Sequence, residues 1–588
     1  MTAASKTSFF KRECFNPYFL LLIILAMALG IFLRLYQLGG QMVGDDEWHA
    51  ISVAINNSFK YILTHFNHED NNCIPLTLYY KLLLETIGLN EFGLHSLQLI
   101  SGILSLIVFP LIVRSILNGK VAIIFAWLLA ISPLLVFYSR YARPYMIVVF
   151  LSFISIFSFY FWIRKRRIRY AFTYVILAVL ASYFNLASVA FVAGPLIYIC
   201  TLRIFGGHFS VQSQKVELPK MAYLILVAIF LIAGISICLL PSISSFQSIT
   251  STAGEGSFEL NMIIGSINLF SGYSSYWGSL VLTVLVGYGF YNLFKNNKFL
   301  FGYFVTIFLL ELSFIAITSP RRVQEPDVFT RYFIVCLPLW ILLISIALND
   351  LYTKLNTFIM IRTKRVYAHI TSNICLAGIL IILLAKSPIL PIYKTKNNFT
   401  NHIDFQSDYT HQALQTMSGK SEELYSYFYS DLKKIRRPMS IIEYPYLIFW
   451  IGNNYHFYQR FHGKSVKIGH NDHSYLSQSA PLMHRDINFK NFVNIDNKSD
   501  ILNSNAEYVI IHKNMLFEFI RMRGLLPDFF PNTKRTEKAL LKNMIRHPTF
   551  NLFFEPARKD AGRAIAKLKE VLGNPFYEDK WITVFRIR

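Results

Sequence analysis

Three carboxylates stand side by side in the segment Gly44-Asp45-Asp46-Glu47-Trp48-His49. Like charges this close repel one another, so the cluster requires a cause. One explanation is helix capping, because acids at the N-cap and in the first turn would stabilise a helix over residues 48–56. The other is chemical, because a carboxylate at a surface of low dielectric gains basicity and can act as a general base or bind a cation. The chemical interpretation makes Asp46 and Glu47 candidate catalytic residues, with Asp45 and His49 as secondary candidates.

Further along the same loop, His65, His68 and Asp70 are close enough in sequence to ligate a metal together with neighbouring acids. Histidines in a loop are more often only solvated. Residues 74–84 follow with the pattern of an amphipathic helix that lies in the membrane interface, with Tyr79 at the level of the lipid headgroups. The simpler interpretation of that helix is an anchor for a long loop.

Two arginines occur in Tyr138-Ser139-Arg140-Tyr141-Ala142-Arg143-Pro144-Tyr145, and Arg331 opens a later apolar segment. Guanidinium groups recognise phosphate oxygens through paired N–H donors, so these arginines predict contacts with a lipid phosphate. Plain headgroup binding by interfacial Arg and Tyr is the alternative. Glu311 lies inside an apolar segment, where an acid is costly enough to suggest a role. We expect it to pair with an arginine.

The composition determines which kind of element must position these residues. Of the 588 residues, 54% are hydrophobic and only 15% are charged, whereas a soluble chain carries about 25% charged residues. A soluble enzyme, a disordered chain and a disulfide-stapled module are excluded, and the sequence predicts a polytopic membrane protein. The formal net charge of +23 is explained by basic cytoplasmic loops rather than by nucleic-acid binding. The six cysteines are scattered and form neither a zinc nor a disulfide pattern.

Windows of about 20 apolar residues predict eleven membrane helices. They are residues 18–36, 92–113, 121–138, 145–163, 171–184, 186–204, 221–240, 278–294, 299–318, 332–349 and 373–390. Lys and Arg gather before the first helix and then in every second loop, most densely over residues 164–169. By the positive-inside rule the N-terminus and these loops are cytoplasmic.

Eleven spans place the tail on the opposite, outer side. Residues 392–588 are long enough for their own core. Within them, residues 439–442, 508–511 and 581–585 resemble strands, and residues 535–546 and 561–572 resemble helices. The predicted fold class is mainly α: a membrane helix bundle over residues 1–391, with a first outside loop over 37–91, followed by an extracytoplasmic α/β domain.

The acids and the arginines therefore fall on one face of the membrane. A lipid phosphate held there by arginines can act as a leaving group while a carboxylate deprotonates an incoming hydroxyl. The combination predicts glycosyl transfer from a polyprenyl-phosphate sugar.

At these positions the chain resembles the glycosyltransferase-C (GT-C) superfamily, most closely its family 39-like bacterial members. The protein O-mannosyltransferases and the aminoarabinose transferase of lipid A are relatives by fold. The motifs that carry the resemblance are Asp46-Glu47, then Asp70 with Pro75-Leu76-Thr77-Leu78-Tyr79-Tyr80, then Ser139-Arg140-Tyr141-Ala142-Arg143-Pro144-Tyr145, and finally Arg331-Tyr332 with Pro338. Between the fifth and sixth spans this chain has Tyr183-Phe184-Asn185-Leu186, where relatives often carry a histidine.

The resemblance implies an inverting, single-displacement transfer in which Asp46 is the general base on the acceptor hydroxyl. Glu47 and Asp45 would orient that base or bind a cation, and Asp70 would contact the acceptor or the sugar. The residues that would contact the leaving phosphate are Arg140, Arg143, Arg331 and Tyr145. The secondary candidates are Asp45, His49, Tyr79 and Glu311.

The implied donor is an undecaprenyl- or dolichyl-phosphate sugar that enters from the bilayer. The acceptor would be a hydroxyl of a glycan, a lipid or a protein, with membrane lipids and no nucleic acid as further partners. A monophosphate leaves little charge to neutralise, so no cofactor is required and a divalent cation on Asp45 and Glu47 is optional. The expected location is a cell membrane, as in a bacterial inner membrane.

Two other classes of protein remain open. A lipid or solute transporter would need charges at mid-bilayer and repeated halves, and no repeat is visible in this sequence. A membrane scaffold without catalytic activity would display the outer domain, but the pairing of acids and arginines across three outside loops argues against it.

Overall fold

A computed structural model gives the structure of the chain. It describes residues 17–36, 38–40, 43, 47–66, 71–205, 218–245, 247, 253–272, 276–363, 365–387, 389, 426–445, 458, 461–470, 489, 491–513 and 555–587. Asp45, Asp46, His68, Asp70 and the predicted helix over 535–546 lie outside the described residues.

The chain divides into two compact units. The first comprises Met1–Tyr36, Lys60–Leu76 and His95–Ser387, and the second comprises Gln37–Phe59, Thr77–Leu94 and Pro388–Arg588. The second unit thus includes parts of the predicted first outside loop as well as the tail. The predicted boundary between residues 391 and 392 lies outside the described residues.

The described helices follow the predicted windows closely. In chain order they are α1 (Pro17–Leu35), α2 (Glu47–Asn56), α3 (Phe59–Thr64), α4 (Ile74–Thr86), α5 (Glu91–Ile116), α6 (Gly119–Ile131), α7 (Pro133–Tyr138), α8 (Tyr145–Lys165), α9 (Ile168–Phe184), α10 (Ser188–Phe205), α11 (Met221–Leu239), α12 (Leu260–Ser271), α13 (Tyr276–Asn296), α14 (Lys298–Thr318), α15 (Pro326–Phe333), α16 (Leu337–Arg362), α17 (Arg365–Lys386), α18 (Tyr427–Lys434), α19 (Lys498–Asn503) and α20 (Glu555–Leu572).

Eight helical segments in the described part of the chain are long and apolar enough to cross a membrane, including Glu91–Ile116, Tyr145–Lys165 and Pro326–Arg362. Phe19–Leu35, Gly119–Ile131 and Ile168–Phe184 are shorter apolar helices that coincide with three further predicted windows. The chain is therefore a multi-pass membrane protein. The sequence windows did not predict α12, which is apolar but only 12 residues long.

Small residues let the helices of the first unit approach closely. A Cβ atom on Gly194 of α10 would lie 2.8 Å from Ile307 of α14, and one on Gly289 of α13 would lie 2.3 Å from the carbonyl oxygen of Leu343 on α16. Both separations are too short for a side chain. Backbone approach at small residues is how helices associate in lipid, where burying apolar surface gives no advantage over the lipid tails.

The second unit contains a six-stranded sheet, which confirms the α/β prediction for the tail. Its strands are β1 (Ser440–Tyr444), β2 (Ser465–His470), β3 (Phe492–Asn494), β4 (Ala506–His512), β5 (Tyr577–Glu578) and β6 (Ile582–Arg586). They are ordered β3-β2-β1-β4-β6-β5. The first four run parallel, while β6 is antiparallel to both β4 and β5. One face packs Ile442, Tyr444, Val509 and Ile511 against Leu568 of α20.

The sheet also buries a polar cluster at the carboxyl ends of two adjacent parallel strands. The Tyr429 hydroxyl of α18 lies 3.0 and 2.9 Å from the two carboxyl oxygens of Glu443 on β1. Nε2 of His512 on β4 lies 2.7 Å from Oε2 of Glu443, and neither side chain of this pair is exposed. The ring of Tyr458 stacks on Tyr429 at 4.4 Å between centroids. A buried carboxyl group thus has its partners supplied by two other elements, which fixes how α18 lies on the sheet.

Replacing Glu443 by alanine removes the acceptor shared by Tyr429 and His512. We expect the free energy of unfolding to fall by about 3–5 kcal/mol, the usual cost of breaking a buried polar pair. Chemical denaturation of the detergent-solubilised chain measures this change. Asp431→Ala, which removes an exposed partner of Lys434, should leave the unfolding curve nearly unchanged, and equal effects of the two substitutions would contradict the prediction.

Candidate functional site

The acidic segment leads directly into helix α2. The predicted helix over 48–56 is confirmed and begins one residue earlier, at Glu47. The Glu47 side chain is buried, and His49, one half-turn later, is partly buried. A carboxylate that only capped the helix could remain in water, whereas burying it costs free energy unless polar groups compensate. Burial therefore favours a role for Glu47 beyond helix capping.

The second acidic region is described from Asn71 onwards. The Asn71 amide nitrogen donates to the carbonyl oxygens of Ile62 at 3.0 Å and His65 at 2.6 Å, which closes the carboxyl end of α3. The predicted amphipathic helix is confirmed as α4, and Tyr79 is half-buried on it, next to the ring of Tyr80. The segment that follows Asp70 in the sequence is thus held by the protein rather than free in solvent.

The metal prediction is neither confirmed nor contradicted. His65 stacks on Tyr61 at 4.1 Å, and its Nδ1 lies 2.9 Å from the Thr64 hydroxyl. Within the described ranges, no group of three His, Cys, Asp or Glu side chains is placed to hold an ion. Asp45, His68 and Asp70, which would complete such a group, lie outside those ranges.

Arg140 is fully buried and binds backbone oxygens at the end of α1. Its Nη1 donates to the carbonyls of Leu33 at 3.4 Å, Arg34 at 3.2 Å and Tyr36 at 2.6 Å. The last carbonyls of a helix have no intrahelical partner and carry partial negative charge, so a guanidinium there satisfies both deficits. The Nη1 group of Arg140 thus caps α1, and its predicted contact with a lipid phosphate stays a prediction.

A second guanidinium makes the reciprocal contact. Arg34, in the last turn of α1, is fully buried and donates to Leu129 and Ala130 at the carboxyl end of α6, at 3.3 and 3.4 Å. Its Nε also donates to the Ser139 hydroxyl at 3.1 Å. The sequence analysis missed Arg34 as a site residue, although an arginine inside the apolar window 18–36 is the signal that reveals it.

A glycine makes room for this contact. A Cβ atom on Gly102 of α5 would lie 2.1 Å from the Ser139 hydroxyl oxygen and 3.2 Å from Arg34 Nε. Any side chain at position 102 would therefore displace Ser139. Three membrane helices and the turn over residues 139–144 meet at this point.

Arg143 lies on that turn and is almost fully buried. Its charge acts on the thiol of Cys73, which stands just before α4. Burial raises the pKa of Cys73 to about 12, and a hydrogen bond with the Leu76 backbone and the Arg143 charge offset part of that rise. Arg143 is thus close enough to Cys73 for an electrostatic interaction. Tyr145 begins α8 and packs its ring edge-on against Tyr138 at 5.0 Å.

Arg331 lies on the short helix α15, before the long helix α16. Its Nη2 donates to Oδ2 of Asp327 at 3.0 Å, one turn earlier, and both side chains remain partly exposed. The carboxylate orients the guanidinium without removing it from solvent. Arg331 is therefore better placed than Arg140 to contact a bound anion.

Glu311 is fully buried in α14. Its neighbours include the Phe191 backbone and Cys336. In the part of the chain that the structure describes, no ion pair involves Glu311. The predicted pairing with an arginine is wrong there, because the helices that surround Glu311 supply apolar and backbone groups at its depth.

No protein-family model matches the chain, and no curated protein matches its sequence. Among solved structures it is similar to the archaeal oligosaccharyltransferase AglB from Archaeoglobus fulgidus in complex with an inhibitory peptide and a dolichol-phosphate. The identity is 13%, the match covers 88% of this chain and 72% of that one, and the TM-score is 0.38. It is also similar to ArnT from Cupriavidus metallidurans bound to undecaprenyl phosphate, at 10% identity over 98% of both chains, with a TM-score of 0.42. Both TM-scores are below 0.5, so these similarities assign no function to the chain.

Replacing Arg140 by glutamine removes the guanidinium that binds the carbonyls at the end of α1. Hydrogen bonds from charged donors contribute about 1.5–3 kcal/mol, so we expect the free energy of unfolding to fall by about that amount. Denaturant unfolding in detergent measures this loss. Arg322→Gln, which alters an exposed arginine paired with Glu325, is the matched control and should leave stability nearly unchanged. A stable Arg140→Gln variant would show that the cap is unimportant.

Proposed function

We propose that the chain is an inverting glycosyltransferase that moves a sugar from a polyprenyl-phosphate donor to an acceptor hydroxyl on the outer face of the membrane. The observation that carries the proposal is the buried guanidinium of Arg143, on a turn that hydrogen bonds hold to α1 within a multi-pass membrane unit. A guanidinium in a medium of low dielectric binds a phosphate oxyanion far more strongly than it would in water.

The reaction requires a base and a group that stabilises the leaving phosphate. In the proposed step Asp46 takes the proton of the acceptor hydroxyl, and the oxygen of that hydroxyl attacks the anomeric carbon of the donor sugar. The bond between that carbon and the phosphate oxygen breaks, the electron pair leaves with the phosphate, and the configuration inverts. Asp70 contacts the acceptor or the sugar.

Burial gives Glu47 a defined part in this step. Glu47 is buried and follows Asp46 directly in sequence, so we assign it to orienting that base. If a divalent cation takes part, Asp45 and Glu47 would hold it, and it would supply electrostatic stabilisation of the acids.

The phosphate contacts fall to Arg143 and Arg331. Charge grows on the phosphate oxygens as the sugar leaves, and preorganised donors aimed at that charge lower the barrier. Arg331 is oriented by Asp327, and Arg143 is fixed by the turn that carries it. Tyr145, the first residue of α8, lies beside that turn and adds a hydroxyl near the phosphate. The Nη1 donors of Arg140 are directed to helix carbonyls, so we assign Arg140 to positioning.

Transfer of a radiolabelled sugar from polyprenyl-phosphate donors in proteoliposomes tests the assignment. Asp46→Asn should abolish transfer while donor binding persists, because the amide cannot accept the proton. Arg331→Ala should lower the rate about 10²–10³-fold, the usual cost of losing one stabilising donor. Asp431→Asn and Arg321→Ala alter exposed groups and serve as controls. Wild-type protein that transfers from no donor would favour the transporter or the scaffold.

The side of the membrane can be tested separately. Alternating basic loops place the tail outside and the hairpin between α8 and α9 inside. Glu570→Cys on α20 should therefore react with a membrane-impermeant maleimide on intact cells, and Arg167→Cys should react only after the cells are broken. Both positions are exposed, so accessibility alone does not separate them. The reverse labelling pattern would place the acceptor site on the cytoplasmic side.

A further inference from the structure

One buried cation has no part in the proposed reaction. Arg34 is fully buried near the end of a membrane helix, where a charged side chain costs several kcal/mol unless polar partners compensate. Its guanidinium donates to the carbonyls of Gly30 on its own helix and of Leu129 and Ala130 on α6. It also donates to the hydroxyl of Ser139, the first residue of the turn over residues 139–144, which we call the arginine turn. These hydrogen bonds connect Arg34 to α6 and to Ser139, which points to a role in holding those elements in place.

We propose that Arg34, Gly102, Ser139 and Arg140 form a clamp that fixes the turn over residues 139–144, which carries Arg143, relative to α1. This inference rests on the proposed function and extends it to residues that touch neither donor nor acceptor. Arg34 and Gly102 are its positioning residues.

One arm of the clamp fixes the start of the turn that carries Arg143. Arg34 Nε holds the Ser139 hydroxyl, which itself donates to the Leu135 carbonyl at 2.5 Å. Ser139 begins the turn that ends at Pro144 and carries Arg143. The direction of Arg143 therefore depends on a hydrogen bond made four residues earlier, because the short turn cannot move independently of its first residue.

The other arm holds the same turn against the end of α1. Nη1 of Arg140 donates to the carbonyl of Tyr36 at 2.6 Å. Tyr36 ends the N-terminal segment of the first unit. Arg34 precedes Tyr36 by two residues. The end of α1 therefore gives the turn over residues 139–144 both a hydrogen-bond donor, Arg34 Nε, and an acceptor, the Tyr36 carbonyl. Displacing either arm therefore alters the placement of Arg143.

Gly102 allows the clamp to be disturbed without changing a charge. Its Cβ position lies 2.1 Å from the Ser139 oxygen and 2.7 Å from the Ser139 Cβ, so Gly102→Ala must push Ser139 away. Arg34→Lys keeps the charge but loses the planar set of donors that reaches three elements at once. Ser139→Ala removes the hydroxyl, adds no volume and serves as the mildest variant if the other two fold poorly.

Cys73 provides a readout that does not depend on activity. Its thiol lies near Arg143 and is only 2% exposed. In a chain whose other five cysteines are replaced by alanine, the rate of N-ethylmaleimide labelling reports whether the packing that buries this thiol is retained. Moving the turn exposes the thiol and increases its thiolate fraction, so labelling at neutral pH should rise at least about tenfold in Arg34→Lys and Gly102→Ala.

Transfer activity is measured on the same variants, per molecule that remains folded. A displacement of about 1 Å in a reacting group can cost about 10²-fold, so kcat/KM should fall by that order, with kcat reduced even at saturating donor. The matched control is Gly289→Ala, which crowds the Leu343 carbonyl between α13 and α16. It introduces the same methyl group into another helix contact and should change neither Cys73 labelling nor activity per folded molecule.

The outcomes separate the clamp from the proposed function. If folded Arg34→Lys and Gly102→Ala label Cys73 at the wild-type rate, the clamp is wrong. Equal acceleration in Gly289→Ala would also overturn it, because a general loosening of the bundle would then explain the labelling. If wild type transfers no sugar but the labelling contrast holds, the glycosyltransferase proposal fails and the positioning of the turn by Arg34 stands.

Discussion

Two buried guanidinium groups in the first unit donate to the carbonyls at the ends of two helices, α1 and α6. Arg34 of α1 binds the terminal carbonyls of α6, and Arg140, in the turn after α7, binds the terminal carbonyls of α1. Carbonyls at a helix end have no intrahelical partner, and lipid offers none, so the bundle must supply donors of its own. Both arginines are fully buried. Removing either guanidinium leaves carbonyls at a helix end without that donor.

The three predicted phosphate-binding arginines have different surroundings. Nη1 of Arg140 donates hydrogen bonds to backbone oxygens. Arg331 is oriented by the carboxylate of Asp327, one turn away, and remains partly exposed. Arg143 lies between these cases, buried on a turn that the capping contacts fix. Three arginines that look equivalent in sequence thus differ in burial and in partners.

The second unit also buries polar and ionisable side chains. Its sheet buries Glu443 and His512 at the ends of adjacent parallel strands, and the hydroxyl of Tyr429 from α18 completes the cluster. A buried carboxyl group is tolerated only where polar partners surround it. Because the partners come from three different elements, the cluster specifies how they pack, in addition to the apolar face under α20. Neither Glu443 nor His512 stood out in the sequence, since a Glu and a His inside apolar runs resemble ordinary strand residues.

The sequence by itself determined the elements of this protein. Apolar runs of membrane-spanning length, basic loops at every second position and strand-like runs in the tail each depend on neighbours along the chain, and the corresponding helices and strands are present where the structure describes them. It also revealed Glu47 and the arginine turn, because charges are conspicuous in an apolar chain. Only the tertiary structure decided what those charges do. Whether an arginine faces a phosphate or a helix end depends on contacts between residues more than a hundred positions apart, such as Arg34 with Ser139 and Arg140 with Tyr36, and no local pattern encodes which carbonyls a guanidinium will meet.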